Sequence, residues 1–113
     1  MANVNDVILD FARGAKQIFD TDTVDIILFG SYARGDFDDS SDVDIAILAD
    51  IPREQESNYT KDLVALISKV DEVHGYSFLI SPIVISRPFF EEWSEAIPFY
   101  QNLKREGMKI NVA

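Results

Sequence analysis

The sequence predicts an α/β fold in which a small mixed β-sheet is flanked by helices. Three observations support this class: an amphipathic first segment, two apolar strands joined by a polar loop, and a third strand framed by helical patterns. The 113 residues are 47% hydrophobic, which is enough for a domain with a buried core. We therefore expect a single domain over residues 1–113.

The first helix is predicted from Val4 to Phe19, where apolar residues recur at helical spacing. Asn3 or Asn5 is suited to cap its first turn. Residues 20–22 are polar and are expected to form the turn that leads into the sheet.

Three strands are predicted, over residues 23–29, 42–48 and 76–86. The second strand is apolar on both faces beyond Asp44, which is typical of a strand that is covered on both sides. The third strand contains Pro82, which lacks a backbone donor, so we expect it to lie at a sheet edge or to carry a bulge.

Further helices are predicted around these strands. One begins at Ser57 or Asn58 and is ended by Gly75. Its buried face is expected to comprise Leu63, Val64, Leu66, Ile67 and Val70. Two shorter helices are predicted over residues 88–95 and 97–105, the second ended by Gly107, and the tail is expected to form a final turn or strand.

Composition narrows the possible partners. The net charge of −10 argues against a nucleic acid as a broad electrostatic partner, because phosphate backbones attract Lys and Arg. The chain has no cysteine, which excludes disulfides and thiolate metal sites. No apolar run approaches the ~20 residues of a membrane span and no signal-peptide pattern begins the chain, so we expect a cytoplasmic location.

Two carboxylates stand at the start of the second predicted strand. Because side chains alternate along a strand, Asp42 and Asp44 are predicted to lie on one face with their Cα atoms about 6.6 Å apart. A shared cation would relieve their repulsion, and oxygen ligands of this kind favour Mg²⁺. The alternative is a pair of solvated acids at a strand end, which is common on protein surfaces.

A Gly-Ser turn follows the first predicted strand directly. Gly30 permits backbone conformations that strain other residues, and Ser31 is suited to cap a short helix over residues 32–34. The N–H groups at the start of such a helix attract anions, and Arg34 is placed to contact a phosphate oxygen. An ordinary capped turn is the alternative. The turn is not a Walker A loop, because G-x-x-x-x-G-K-[ST] is absent.

Taken together, Gly30-Ser31, ten residues and Asp42-Val43-Asp44 resemble the signature of the minimal nucleotidyltransferases of the DNA polymerase β-like superfamily. The flanking Ala33-Arg34-Gly35 and Ser41 are also similar to that family's pattern. The resemblance implies a polymerase β-like nucleotidyltransferase fold. It also implies that Gly30, Ser31, Arg34 and Ser41 hold the nucleotide, with ATP as substrate, while Asp42 and Asp44 bind Mg²⁺ and catalyse the transfer.

The same resemblance implies a third carboxylate on a neighbouring strand, which binds the catalytic metal and helps to deprotonate the acceptor. The predicted third strand contains no acid, and a residue such as Ser81 stands where one is expected. Four acids outside that strand are possible substitutes: Asp71, Glu72, Glu91 and Glu92.

The chain is most similar to the short members of the family, which serve as antitoxins in HEPN–MNT toxin–antitoxin modules. This resemblance implies a complex with a HEPN ribonuclease partner and AMP transfer to a hydroxyl of that partner. Two alternatives stay open. The chain either blocks a HEPN partner by binding alone, or transfers the nucleotide to a small molecule such as an aminoglycoside.

Two further features have plainer interpretations. His74 is the only histidine and is expected to be structural or solvated rather than catalytic. An aromatic cluster near the C-terminus is expected to pack in the core, with a partner surface as the alternative. Its members are Phe89, Phe90, Trp93, Phe99 and Tyr100.

Overall fold

The fold is a four-stranded sheet with helices on both faces. It is seen in a computed structural model that describes residues 3–19 and 24–112. The helices are α1 (Val4–Phe19), α2 (Ser31–Arg34), α3 (Thr60–His74), α4 (Arg87–Trp93) and α5 (Pro98–Glu106), with a 3₁₀ helix over Arg53–Tyr59. The strands are β1 (Asp25–Phe29), β2 (Val43–Ala49), β3 (Ile80–Ser86) and β4 (Met108–Ile110). No helix in the described part of the chain is long and apolar enough to cross a membrane.

The strands lie in the order β3-β2-β1-β4. β2 is parallel to β3, and the other two pairs are antiparallel, so the sheet is mixed as predicted. Every residue of β2 is buried except Asp44, which is partly exposed. A partly exposed carboxylate in so buried a strand marks the start of β2 as a candidate site.

Alternation along β2 divides the core into two layers. Val43, Ile45 and Ile47 face the layer formed with α1 and α3. Ala46 and Leu48 face the layer formed with α4 and α5. Asp44 shares the face of Ala46, so its carboxylate lies on the side of the sheet that α5 covers.

α1 has the predicted bounds and the predicted cap. The Asn3 side chain accepts the N–H of Asn5 at 2.8 Å, which satisfies a donor in the first turn. α1 packs on α3, and the two helices are joined by His74 Nε2 and Asp10 Oδ2 at 2.6 Å. His74 is therefore a structural residue, as expected.

Two predicted boundaries of the middle segment are wrong. α3 begins at Thr60 rather than at Ser57 or Asn58, because the preceding residues form the 3₁₀ helix. β3 begins at Ile80 rather than at residue 76, because Gly75 and Tyr76 both have positive φ and turn the chain after α3. The predicted turn at 20–22 and the strand start at residue 23 lie outside the described residues.

The buried face of α3 is narrower than predicted. Leu63 and Val70 are buried, and Leu66 and Ile67 pack against the same layer. Val64 is 57% exposed, because the residue after Leu63 is rotated by about 100° from the face that meets the core.

β3 lies at an edge of the sheet, because it pairs with β2 alone among the described strands. This confirms the edge position predicted from Pro82. Gly75 ends α3 with a left-handed φ of +77°. Gly107 also ends its helix, α5, as predicted, but its backbone is extended, with φ −67° and ψ 142°, rather than left-handed. The tail forms the short edge strand β4.

The aromatic cluster is divided between core and surface. Tyr100 is buried and contacts Phe89 and Phe90, which confirms core packing for these three rings. Trp93 and Phe99 are 43% and 37% exposed. For these two, a partner surface stays a prediction.

Arg87 joins α4 to the sheet. Its Nη1 donates to Asp25 at 2.9 Å, its Nε donates to Asp50 at 2.8 Å, and its Nη2 donates to the carbonyl of Leu48 at 3.1 Å. Burial opposes ionisation of Asp25, but hydrogen bonds from Lys109 and Arg87 outweigh it and lower the pKa of its carboxyl. The single carboxylate of Asp25 therefore ties α4 and β4 to β1.

We expect Asp25→Asn to lower the free energy of unfolding by about 1–2 kcal/mol near neutral pH, because a charge-assisted pair is lost. Since the folded-state pKa of Asp25 lies below its unfolded value, this stability is complete above about pH 4 and is lost as pH falls through the folded-state pKa. Urea unfolding of both proteins at about pH 7 and about pH 3 measures the effect. A difference of the same size at both pH values would contradict it.

Candidate functional site

The candidate site lies where β1 ends beside the start of β2. Phe29, the last residue of β1, pairs with Asp44 of the antiparallel β2. The Gly30-Ser31 turn therefore lies against the Asp44 carboxylate. α2 follows Gly30 at once, and the first N–H groups of any helix have no partner within it.

Gly30 is required at this corner for two reasons. Its φ of +74° and ψ of −154° fall in a region that essentially only glycine occupies. A Cβ at this position would also collide with Asp44 Oδ2. The absence of a side chain thus lets the turn approach the carboxylate closely.

Ser31 does not cap α2, so that part of the prediction is wrong. The helix begins at Ser31 itself, and the residue before it, Gly30, has no side chain to accept a first-turn N–H. The Gly30 carbonyl instead accepts the N–H groups of Ala33 and Arg34, each at 3.1 Å. Ser31 lines the same cleft as Asp44, a position compatible with its predicted role as a phosphate ligand.

Asp44 is in an environment that suits a bound cation. Burial raises the pKa of its carboxyl, the nearby Asp42 carboxylate raises it further, and Arg34 opposes both effects. A divalent cation would relieve the repulsion between the two acids, and their oxygens are the hard ligands that Mg²⁺ prefers. Asp42 and Asp44 are the residues that would hold it.

Asp42 is exposed and immediately precedes β2, which begins at Val43 rather than at Asp42 as predicted. The loop before it is organised by Asp38, whose Oδ1 accepts the N–H and the hydroxyl of Ser40 at 2.8 and 2.7 Å. Ser41 Oγ accepts the N–H of Asp38 at 2.9 Å. The hydroxyl of Ser41 is therefore engaged within the loop, and its predicted contact with the nucleotide stays a prediction.

Sequence reasoning gave Asp38 no role of its own. Hydrogen bonds from Ser40 lower the pKa of its carboxyl and hold it ionised. An aspartate followed two residues later by serine is a usual sign of a side chain that closes a turn on its own backbone, so a signal for this role was present.

The two carboxylates line different clefts. Asp44 lines a cleft of about 360 Å³ together with Gly30, Ser31 and Arg34. Asp42 lines a second cleft of about 560 Å³. Both volumes fall within the roughly 300–1,000 Å³ that is typical of small-molecule sites. Each carboxylate therefore borders a cleft large enough for a small molecule.

α5 forms a wall of the Asp44 cleft through Phe99, Asn102 and Glu106. The guanidinium of Arg34 is held at this cleft by Asp36 Oδ2 at 3.1 Å and by Glu106 Oε2 at 3.5 Å. Sequence reasoning missed the contribution of α5, because Arg34 and Glu106 are 72 residues apart and no local pattern links them.

The neighbouring strand has no carboxylate beside Asp44. β3 is parallel to β2, and Ser81 is the residue in register with Asp44, as expected. Within residues 3–19 and 24–112, no three histidine or acidic side chains are grouped so that they could hold a metal. Among the possible substitutes, Asp71 lines the Asp42 cleft.

A family model and several known proteins are similar to this chain. Residues 10–106 match the model described as a nucleotidyltransferase domain. One protein of Methanocaldococcus jannaschii, named a putative protein adenylyltransferase, is 35% identical over 108 residues, which cover 93% of this chain and 95% of the relative. A second of the same name and organism is 31% identical over 96 residues, covering 84% and 92%. A third is 34% identical over 85 residues, covering 73% of this chain but only 54% of that longer relative.

We expect Gly30→Ala to destabilise the protein by about 1–3 kcal/mol and to abolish Mg²⁺-dependent ATP binding, because the new methyl group displaces Asp44. Gly35→Ala is the matched control, since Gly35 also has a positive φ of +86° but no atom lies within 4 Å of its added Cβ. It should cost about 1 kcal/mol and leave binding intact. Urea unfolding and titration calorimetry measure both effects. Equal loss of binding in the two variants would show that the contact with Asp44 is unimportant.

The pKa of Asp44 should move in opposite directions in two further variants. Asp42→Asn removes a like charge and should lower it, whereas Arg34→Gln removes an opposite charge and should raise it. Carbon-detected NMR titration of the metal-free protein measures both shifts. Because the ionised carboxylate is the form that binds a cation, Mg²⁺ affinity should fall as pH falls through the pKa of Asp44. No shift in either variant would place the three groups too far apart to interact.

Proposed function

The chain belongs to the nucleotidyltransferase domain family and is a nucleotidyltransferase, and we propose that it transfers AMP from Mg·ATP to a hydroxyl of a partner protein. One observation carries the proposal: the Asp44 carboxylate lies against the Gly30-Ser31 turn, with a second acid, Asp42, close enough to raise its pKa. The names of the relatives, which describe protein adenylyltransferases, favour AMP as the group and a protein as the acceptor.

The charges around the two clefts favour one orientation of the triphosphate. Arg34 is the cationic side chain of the Asp44 cleft and is suited to contact phosphate oxygens. Among the described residues that line the Asp42 cleft, none is cationic and three are acidic: Asp39, Asp42 and Asp71. We therefore assign the β- and γ-phosphates to the Arg34 side, where repulsion is smallest.

The direction of the acceptor follows from this orientation. In phosphoryl-type transfer the attacking and leaving oxygens lie roughly in line through the phosphorus. If pyrophosphate leaves towards Arg34, the acceptor hydroxyl enters from the Asp42 cleft. Its oxygen bonds to the α-phosphorus, the bond from that phosphorus to the α–β bridging oxygen breaks, and the hydroxyl proton passes to solvent. When bound by Asp42 and Asp44, Mg²⁺ would supply neutralisation of the charge on the phosphates.

The acceptor is proposed to belong to a HEPN-family ribonuclease that this chain neutralises as an antitoxin in the cytoplasm, where ATP is available. The sequence resemblance to minimal nucleotidyltransferases supports this proposal.

A second candidate function is inhibition by binding alone, with little catalysis. The observation that favours it is Ser81, which lies beside Asp44 where the resemblance implies a third carboxylate. The two retained acids and the Gly30 corner favour the enzyme, since a pure binding module has no need of either.

The test is to mix the purified protein with Mg²⁺, α-labelled ATP and the HEPN protein encoded beside it. We expect label on the HEPN protein, with a loss of about 100-fold or more in Asp42→Ala. Asp39→Ala is the matched control, because Asp39 is an exposed acid of the same cleft that has no proposed metal contact. It should retain most of the labelling.

Other outcomes distinguish the remaining candidates. Inhibition of the ribonuclease that survives Asp42→Ala, without label, would favour the binding module. Label on an aminoglycoside but not on the HEPN protein would favour a small-molecule acceptor. Failure of the wild-type protein to bind Mg·ATP in the presence of its partner would contradict the proposed function altogether.

A further inference from the structure

The Asp42 cleft contains a tyrosine that nothing else in the structure explains. Tyr76 lines this cleft together with Asp42, and its side chain is 69% exposed. None of the hydrogen bonds found among the described residues involves its hydroxyl. Its φ of +60° makes it the one residue other than glycine with a left-handed backbone in the described part of the chain.

The backbone holds Tyr76 in place despite the strain. Gly75 and Tyr76 both donate their N–H groups to the carbonyl of Asp71, at 2.8 and 3.2 Å, and so close the end of α3. A left-handed backbone strains a tyrosine, whereas an asparagine or glycine would serve the same turn with less strain. A strained aromatic residue in the same cleft as the proposed metal ligand Asp42 is the kind of outlier that suggests a functional role.

The other three tyrosines differ from Tyr76, because each makes a hydrogen bond or a ring stack with another side chain. Tyr100 is buried, and its hydroxyl accepts a hydrogen bond from Arg53 at 3.2 Å. Tyr59 stacks on Phe19 with ring centroids 4.2 Å apart. Tyr32 also lines the Asp42 cleft, but it is partly buried and its ring stacks on Phe37 with centroids 4.3 Å apart. Only Tyr76 combines an exposed side chain with a position in the Asp42 cleft.

We propose that the hydroxyl of Tyr76 is itself an acceptor, so that the protein adenylylates its own cleft. This inference rests on the proposed function, because it uses the same ATP site and the same entry side. The Tyr76 oxygen bonds to the α-phosphorus of ATP, the α–β bridging bond breaks, and pyrophosphate leaves. The phenolic proton passes to water, to which the exposed side chain has access. The product is a phosphodiester that joins Tyr76 to AMP.

The chemistry of the site agrees with a phenolic acceptor. The described residues provide no third carboxylate beside Asp44 to take the acceptor's proton. A phenol has a pKa of about 10, well below that of an aliphatic hydroxyl, so it needs less assistance to become a nucleophile. A site that lacks a carboxylate in register with Asp44 on the neighbouring strand is therefore better matched to tyrosine than to serine or threonine.

The experiment uses the full chain alone with Mg²⁺ and ATP labelled at either the α- or the γ-phosphate. We expect incorporation of the α-label only, an increase in intact mass equal to one adenylyl group, and a modified peptide that contains Tyr76. Tyr76→Phe should reduce incorporation at least tenfold, whereas Tyr59→Phe, which changes a tyrosine outside the cleft, should not. Asp42→Asn should also abolish it.

The controls separate this inference from the proposed function. Tyr76→Phe removes one oxygen from an exposed side chain, so the variant should unfold at the same temperature as the wild type. A loss of label in this variant would then show that the Tyr76 hydroxyl is the acceptor. Unchanged label in Tyr76→Phe, or label on the partner protein with none on this chain, would overturn self-modification and leave the proposed function standing. No Mg·ATP binding by calorimetry, with or without the partner, would overturn both. A rate constant independent of protein concentration would indicate reaction within one chain.

Discussion

The close approach of the Gly30 backbone to the Asp44 carboxylate is the contact on which the site depends. It exists because β1 and β2 are antiparallel and place Phe29 opposite Asp44. A slip of one residue in this pairing would turn Asp44 into the α1–α3 layer and expose Val43 instead. The apolar alternation that stabilises β2 therefore also fixes the direction of the carboxylate. Stability and site geometry have a common cause here.

Burial of Asp44 and repulsion from Asp42 are the main electrostatic features of the site. The chain carries a net charge of −10, and burial and Asp42 both raise the pKa of Asp44. In the folded protein, β2 and the turn that Asp38 closes hold the carboxylates of Asp42 and Asp44 near each other despite this repulsion. A cation that binds only the folded arrangement removes an unfavourable interaction and so stabilises the fold by mass action. The same acids that destabilise the site in the absence of a cation would favour binding of a metal.

Local patterns were sufficient for much of the architecture. The bounds of α1, its Asn3 cap and the edge position of β3 all follow from signals within a few residues. The start of β3 was not predictable in this way. Residues 76–79 have the composition of a strand, but the left-handed pair at Gly75 and Tyr76 leaves them outside the sheet. Backbone strain of this kind has no signature in composition.

The parts of the site that sequence reasoning missed depend on tertiary packing. α5 reaches the Asp44 cleft because Ala46 and Leu48 face the layer that it completes, and Arg34 meets Glu106 only through that layer. The error at Ser31 has a different cause. Serine is a common capping residue, but the backbone of Gly30 must occupy the cap position so that the turn can approach Asp44. The requirement of the site overrides the local preference.

The serine beside Asp44 changes what the site can do without preventing it from binding a metal. Mg²⁺ is commonly held by one or two carboxylates, with substrate phosphates and water as the remaining ligands. Two aspartates would therefore suffice if ATP supplied the other oxygens, as proposed, and metal and nucleotide would then bind more tightly together than alone. A third carboxylate would mainly assist removal of the acceptor's proton. Ser81, on an edge strand, stands where that carboxylate would be. Removal of the acceptor's proton would therefore depend more on the acidity of the acceptor itself.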